Sequence, residues 1–165
     1  MVQVKALVLT VSDRVSRGEA EDGSGPAAAS VLTDLGFETD IDVIPDGVDS
    51  VQRAIRSAVG SGIGLVITTG GTGFGHRDLT PEGTATVIER SAPGIVEAMR
   101  AATFGVNPHG MLSRGIAGIA GRSLIVNLPG SVKGVQESLE VIAPALRHAI
   151  ELLHGADGTH EPAVD

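Results

Sequence analysis

Residues 4–11 form a nearly continuous apolar run, which predicts a strand covered on both faces. Residues 12–26 are polar and glycine-rich and read as a loop. Pro26 suits the first turn of a helix carrying Ala29, Leu32 and Leu35, with Gly36 as its stop. Residues 37–44 alternate as a second strand does. Asp49 is placed to cap a helix that aligns Val51, Ile55 and Val59, and residues 65–69 read as a third strand. Thr80 and Pro81 suit the N-cap and first position of a helix running to about Arg90. Pro93-Gly94 breaks it, and residues 95–102 form another. Residues 115–119 and 123–127 read as two strands, antiparallel because so few residues join them. A helix over about 132–141 follows, and Pro144 opens a last one ending near Leu153. Residues 155–165 lack an apolar period, which predicts a flexible C-terminal tail after a single domain over 1–154.

Strands alternating with helices predict an α/β fold: a mainly parallel sheet covered on both faces, with one antiparallel strand. Loops at the carboxyl ends of the strands then share one edge, namely 12–25, 45–49, 70–79 and 128–131. Composition narrows the core. With three Phe, no Trp and no Tyr, it must be built from Val, Ile, Leu and Ala. The absence of Cys excludes a disulfide framework and a thiol nucleophile. A formal charge of −8 argues against nucleic acid and anionic membrane partners. No segment has the length of a membrane span, and no leader is evident, so a cytoplasmic location is expected.

The loop after the third strand is the chemically informative part. It contains Gly70, Gly71, Gly73 and Gly75, then Arg77 and Asp78, where a plain turn would need far fewer residues. No Lys follows the glycines, so it is not a Walker loop, and the dinucleotide-binding glycine spacing is absent. A glycine-rich loop leaving a strand suits phosphate, but a carboxylate beside phosphate needs a metal between them. With Thr80 serving the helix cap, Asp78 is left to face a ligand. Asp46 ends the second strand on the same edge, and two acids converging on a polyanion site become compatible through Mg²⁺. Arg14, Arg77, Arg114 and Lys133 could supply a local positive field. Ser131 suits the cap of the next helix, and Asn127 inside a strand requires a polar partner.

These residues resemble those of the molybdopterin adenylyltransferase family of MogA/MoaB type, and the G-domain of gephyrin is similar. The resemblance rests on Ser12-Asp13-Arg14, Asp22-Gly23-Ser24-Gly25, Ile44-Pro45-Asp46, Thr69-Gly70-Gly71-Thr72-Gly73, Asp78-x-Thr80-x-Glu82, Ser113-Arg114 and Asn127-Leu128-Pro129-Gly130-Ser131, in that order. It implies a three-layer α/β/α sandwich, a homotrimer or a hexamer of two trimers, and a role in molybdenum cofactor synthesis. The implied reaction joins ATP and molybdopterin into adenylated molybdopterin and pyrophosphate, with Asp46 and Asp78 as the catalytic, Mg²⁺-holding acids. Implied substrate contacts are Ser12, Asp13, Thr69, Gly70, Gly71, Thr72, Gly73, Thr80, Glu82, Ser113, Arg114, Asn127, Pro129, Gly130 and Ser131. A molybdenum-insertion enzyme of the same pathway is an implied partner. One position departs from the family: its loops often carry a second acid after the one matching Asp46, whereas here Gly47 follows. Two other readings stay open: a non-catalytic molybdopterin carrier, and a trimeric scaffold with a vestigial pocket.

Overall fold

The computed structural model describes residues 4–155, so the expected tail lies outside the described residues except for Gly155. Six strands form one sheet in the order β2-β1-β3-β6-β5-β4. They are β1 (Lys5–Val11), β2 (Glu38–Ile44), β3 (Leu65–Thr69), β4 (Arg90–Ser91), β5 (Ala117–Ala120) and β6 (Ser123–Leu128). β2, β1, β3 and β6 are parallel neighbours, and β5 runs antiparallel to β6 and β4. The expected architecture is therefore present, including the single antiparallel strand.

Alternation along the strands divides the core. Ala6, Val8, Leu65, Ile67, Leu124 and Val126 meet helices α2 (Ser24–Asp34), α5 (Pro93–Ala101) and α6 (Val132–His154) on one face. Leu9, Val11, Val66 and Ile125 meet α3 (Val48–Gly60) on the other. A short helix α4 (Thr80–Ala85) packs beside α3, where Gly83 leaves no room for a side chain: a Cβ would lie 2.9 Å from Val48 O. The chain passes from β1 outward to β2, then back across β1 to β3. The carboxyl ends of β1 and β3 thus flank the point where strand order reverses, the usual ligand crevice of such sheets.

Several local expectations fail for identifiable reasons. The loop after β1 contains a short helix, α1 (Asp13–Ser16), capped by Ser12 Oγ, and α2 begins two residues before Pro26. Gly47, not Asp49, is the residue before α3, and Asp49 sits in the first turn. Thr80 does not cap α4. Its hydroxyl is buried and donates to Gly70 O at 2.9 Å, so the cap position falls to Leu79. α4 also stops at Ala85, well short of Arg90. Thr86, Val87 and Ile88 are β-branched and poor at extending a helix, and Arg90-Ser91 is recruited to the sheet edge against Ile119 and Gly118. Pro93-Gly94 opens α5 instead of preceding it. Finally, α6 continues through Pro144. Its buried stripe Val135, Leu139, Ile142, Leu146 and Ile150 keeps helical spacing on both sides of the proline, and packing outweighs one lost hydrogen bond.

Candidate functional site

The glycine loop is fixed by backbone crowding. Gly70 has φ 93°, and a Cβ there would lie 2.5 Å from Val11 O and 4.0 Å from Gly130 Cα. Its N–H donates to Leu128 O at 3.2 Å. The loop therefore leaves β3 wedged between the ends of β1 and β6, and only glycine fits. Gly71, at φ 65°, faces Thr80 and Asp46: a Cβ would lie 2.2 Å from Thr80 Oγ1 and 3.2 Å from Asp46 Oδ1. Thr69 Oγ1 pairs with Ser24 Oγ at 2.8 Å, which ties the strand end to the start of α2. Asp22 supports that start, accepting from Gly25 N at 2.9 Å and Thr10 Oγ1 at 2.8 Å. These bonds involve the Asp22-Gly23-Ser24-Gly25 motif, whose residues read in the sequence only as loop and as part of the resemblance.

Asp78 bends back over its own loop. Its Oδ2 accepts from Gly75 N at 2.9 Å, and a Cβ at Gly73 or Gly75 would lie 2.9 Å from that oxygen. Asp46 and Asp13 are bound reciprocally. Asp13 N–H donates to Asp46 Oδ2 at 2.8 Å, and Asp46 N–H donates to Asp13 Oδ1 at 3.1 Å. Burial pushes the Asp46 carboxyl above its ordinary range, and repulsion from Asp13 and Asp78 adds to it; the Asp13 N–H and Arg77 oppose the shift. Hydrogen bonds from Arg77 hold the Asp13 carboxyl below its ordinary range.

The expected positive field is largely spent on the protein itself. Arg77 donates to both Asp13 oxygens, at 3.0 and 3.2 Å, and to Asp46 O at 2.9 Å. Arg114 donates to Gly73 O at 2.8 Å, to Asp78 O, and to the Glu82 carboxylate, and so spans the loop from inside. Lys133 lies 3.7 Å from Glu137. Asn127 is buried, donating to Thr68 and Thr84 hydroxyls at 2.9 Å each and accepting from Ile116 N at 3.2 Å. Ser131 caps α6 through Gly134 N at 3.0 Å.

The candidate residues at the carboxyl edge fall into two flanks and a frame between them. A cavity of about 580 Å³ is bordered by Thr72, Gly73, Ser113, Asn127, Pro129 and Ser131. Asp13, Asp46 and Asp78 do not border it. Ser12, the strand end Thr69-Gly70-Gly71 with its anchor Thr80, the Arg114–Glu82 pair and Gly130 build the frame between. The far wall, which no motif announced, is made by α5, the 3-10 turn Pro108–Leu112 and α6, including Arg100, Thr103, Asn107, His109, Glu137 and Glu140. Arg100 is fixed there by its bond to Gly115 O at 3.0 Å. A wall of ordinary apolar and turn residues announces itself only when the chain is folded.

The pair Asp46 and Asp78 fits a hard divalent cation. Each uses Oδ2 on a backbone N–H, and no donor among the described residues bonds either Oδ1. Among the described residues, no set of three or more His, Asp or Glu side chains is disposed to hold a metal alone. That combination suits Mg²⁺, which binds one or two carboxylates and completes its shell with water and phosphate oxygens.

A family model described as "Probable molybdopterin binding domain" matches residues 7–148. The molybdopterin adenylyltransferase of Helicobacter pylori (strain J99) is 40% identical over 152 residues, covering 90% of this chain and 86% of that protein. Gephyrin of Dictyostelium discoideum is 42% identical over 158 residues, but those cover 89% of this chain and only 22% of gephyrin. The crystal structure of the molybdopterin biosynthesis enzyme MoaB from Thermus thermophilus superposes with a TM-score of 0.87 at 42% identity, covering 93% of this chain and 98% of that one.

Proposed function

The chain belongs to the molybdopterin-binding domain family of molybdenum cofactor biosynthesis, and from that premise we propose that it transfers AMP from ATP to the terminal phosphate of molybdopterin. An oxygen of that phosphate attacks the α-phosphorus of ATP. The new P–O bond gives adenylated molybdopterin, and the bond to the β-phosphate oxygen breaks to release pyrophosphate. A phosphate is already ionised near neutral pH (second pKa about 6), so no general base is needed. What the step needs is alignment of two anions and neutralisation of their charge. The observation that carries this reading is the two-sided site: a cavity on one flank of the glycine loop and Asp46 with Asp78 on the other.

In this reading Thr72, Gly73, Ser113 and Ser131 hold the pterin and its phosphate from the cavity side. Asp46 and Asp78 hold Mg²⁺, which when bound neutralises the nucleotide phosphates. Arg114 acts through the loop it fixes, and Asn127 through β3, α4 and Ile116, which it ties together. The protein works as a homotrimer or a hexamer of two trimers in the cytoplasm. Exposed Phe104, Val106 and Met111 offer apolar surface for such contacts, and among the described residues no helix is long and apolar enough to cross a membrane.

The test is incubation with ATP, Mg²⁺ and molybdopterin, followed by mass analysis for AMP joined to the pterin. Asp46→Ala and Asp78→Ala are each expected to abolish turnover while leaving the fold and pterin binding intact. No product from wild type, or full activity in both variants, defeats the proposal. A carrier role is favoured by one feature. Gly47 has φ 129°, so an acidic side chain after Asp46 would be strained in this backbone. That role predicts calorimetric binding of molybdopterin with no adenylylated product.

A further inference from the structure

Arg77 offers the chemistry of a phosphate ligand but the geometry of a latch. It is contributed by the glycine loop, yet its guanidinium leaves that loop. It grips Asp13, on the loop after β1, through two bonds of 3.0 and 3.2 Å, and the Asp46 carbonyl, after β2, through one of 2.9 Å. Asp13 and Asp46 in turn hold each other by reciprocal backbone N–H to carboxylate bonds of 2.8 and 3.1 Å. One side chain thereby joins the loops of three successive parallel strands. It sits beside Asp78, whose carboxylate is oriented by Gly75 N at 2.9 Å and whose N–H donates to Gly75 O at 2.9 Å.

We propose that Arg77 is a positioning residue that sets the separation of Asp46 and Asp78, and that it does not bind substrate phosphate. The inference rests on the adenylyl-transfer reading for its kinetic consequence and on the geometry alone for its structural one. The Arg77 side chain is 53% exposed, so its ion pair adds little to global stability. Its effect falls on where Asp46 stands relative to Asp78, and misplacement of a catalytic group by about 1 Å can cost on the order of 100-fold in rate. The fork matters as much as the charge. Two parallel bonds to one carboxylate and a third to a carbonyl require a planar guanidinium, which an ammonium cannot replace.

Two measurements test this. In the apo protein, Arg77→Ala should speed hydrogen exchange about tenfold or more at the amides of Asp13, Asp46, Gly75 and Asp78, without changing exchange at Thr80 or Asn127 or the melting temperature. In the enzyme assay, Arg77→Ala should lower kcat about 10- to 100-fold with the molybdopterin KM unchanged, and Arg77→Lys should recover little of it. Arg77→Ala/Asp13→Ala together should lose far less than the product of the two single losses, because both break the same latch. Wild-type exchange at the four amides in Arg77→Ala overturns the proposal. So do losses that multiply in the double variant, or restoration by lysine with a raised KM for ATP, which mark a direct phosphate contact. If wild type transfers no adenylyl group, the functional reading falls, while the exchange result still decides the latch.

Discussion

The glycines of the loop are not equivalent to those elsewhere, and the difference is measurable. Gly62 and Gly70 both have positive φ, at 77° and 93°. A side chain at Gly62 meets nothing within 4 Å, whereas one at Gly70 would press its Cβ to 2.5 Å from Val11 O. Gly62→Ala should therefore cost only the left-handed backbone penalty, about 1 kcal/mol. Gly70→Ala adds overlap with backbone that cannot rotate away, and should cost at least about 3 kcal/mol. Urea denaturation of both variants checks this, and equal losses would show that the wedge between β1 and β6 yields easily. At this scale part of the candidate site's framework was legible in advance. Gly70 and Gly71 signalled close approach, expected toward a ligand and met instead at Val11, Thr80 and Asp46 of the chain itself, and Asn127 signalled a buried polar partner, which proved to be Thr68, Thr84 and the Ile116 N–H. The roles of Thr80, Arg77 and Arg114 were not legible. A hydroxyl or guanidinium in sequence does not disclose whether its partner is a ligand or a carbonyl of its own loop. Only the folded distances decide.

Elements were legible where one strong period spans them and illegible where local signals compete. The strands β1, β3 and β6 and the hairpin between β5 and β6 were placed to within about two residues, the ordinary limit for boundaries. Gly118 shows why that hairpin is glycine-rich: a Cβ there would lie 2.7 Å from Arg90 O on the neighbouring edge strand. The long helix was the instructive failure. Pro144 is a strong stop signal, but it is exposed, and the stripe from Val135 to Ile150 buries a continuous face regardless. The helix is thus held against its own backbone preference. Pro144→Ala would restore an N–H able to reach the Glu140 carbonyl and relieve the ring's crowding of that turn. It should raise stability by about 1–3 kcal/mol and the melting temperature by roughly 3–8 °C. An unchanged or lower melting temperature would mean that the proline is accommodated in this helix without net cost.

The charge of the molecule as a whole bears on whether a polyphosphate can bind without a cation. Its formal charge is −8. On the acid flank of the glycine loop stand Asp13, Asp46 and Asp78, and Arg77 and Arg114 are already committed to carboxylates and carbonyls. A bare polyphosphate approaching that flank meets net repulsion at short range, where salt screens least. The cavity flank differs. It has about 580 Å³, enough for a fused-ring ligand, its lining sets Arg100 against Glu137 and Glu140 among hydroxyls and apolar side chains, and none of the three acids borders it. Calorimetry in EDTA should therefore find molybdopterin bound as tightly as in Mg²⁺, and no measurable binding of a non-hydrolysable ATP analogue. Adding Mg²⁺ should restore nucleotide binding in wild type but not in Asp46→Ala/Asp78→Ala, while the pterin affinity stays constant throughout. Nucleotide binding that survives EDTA would place the polyphosphate on amides or on Arg14 instead. Metal-dependent pterin binding would merge the two flanks into one site and remove the separation expected of a glycine loop wedged between Val11 and Gly130.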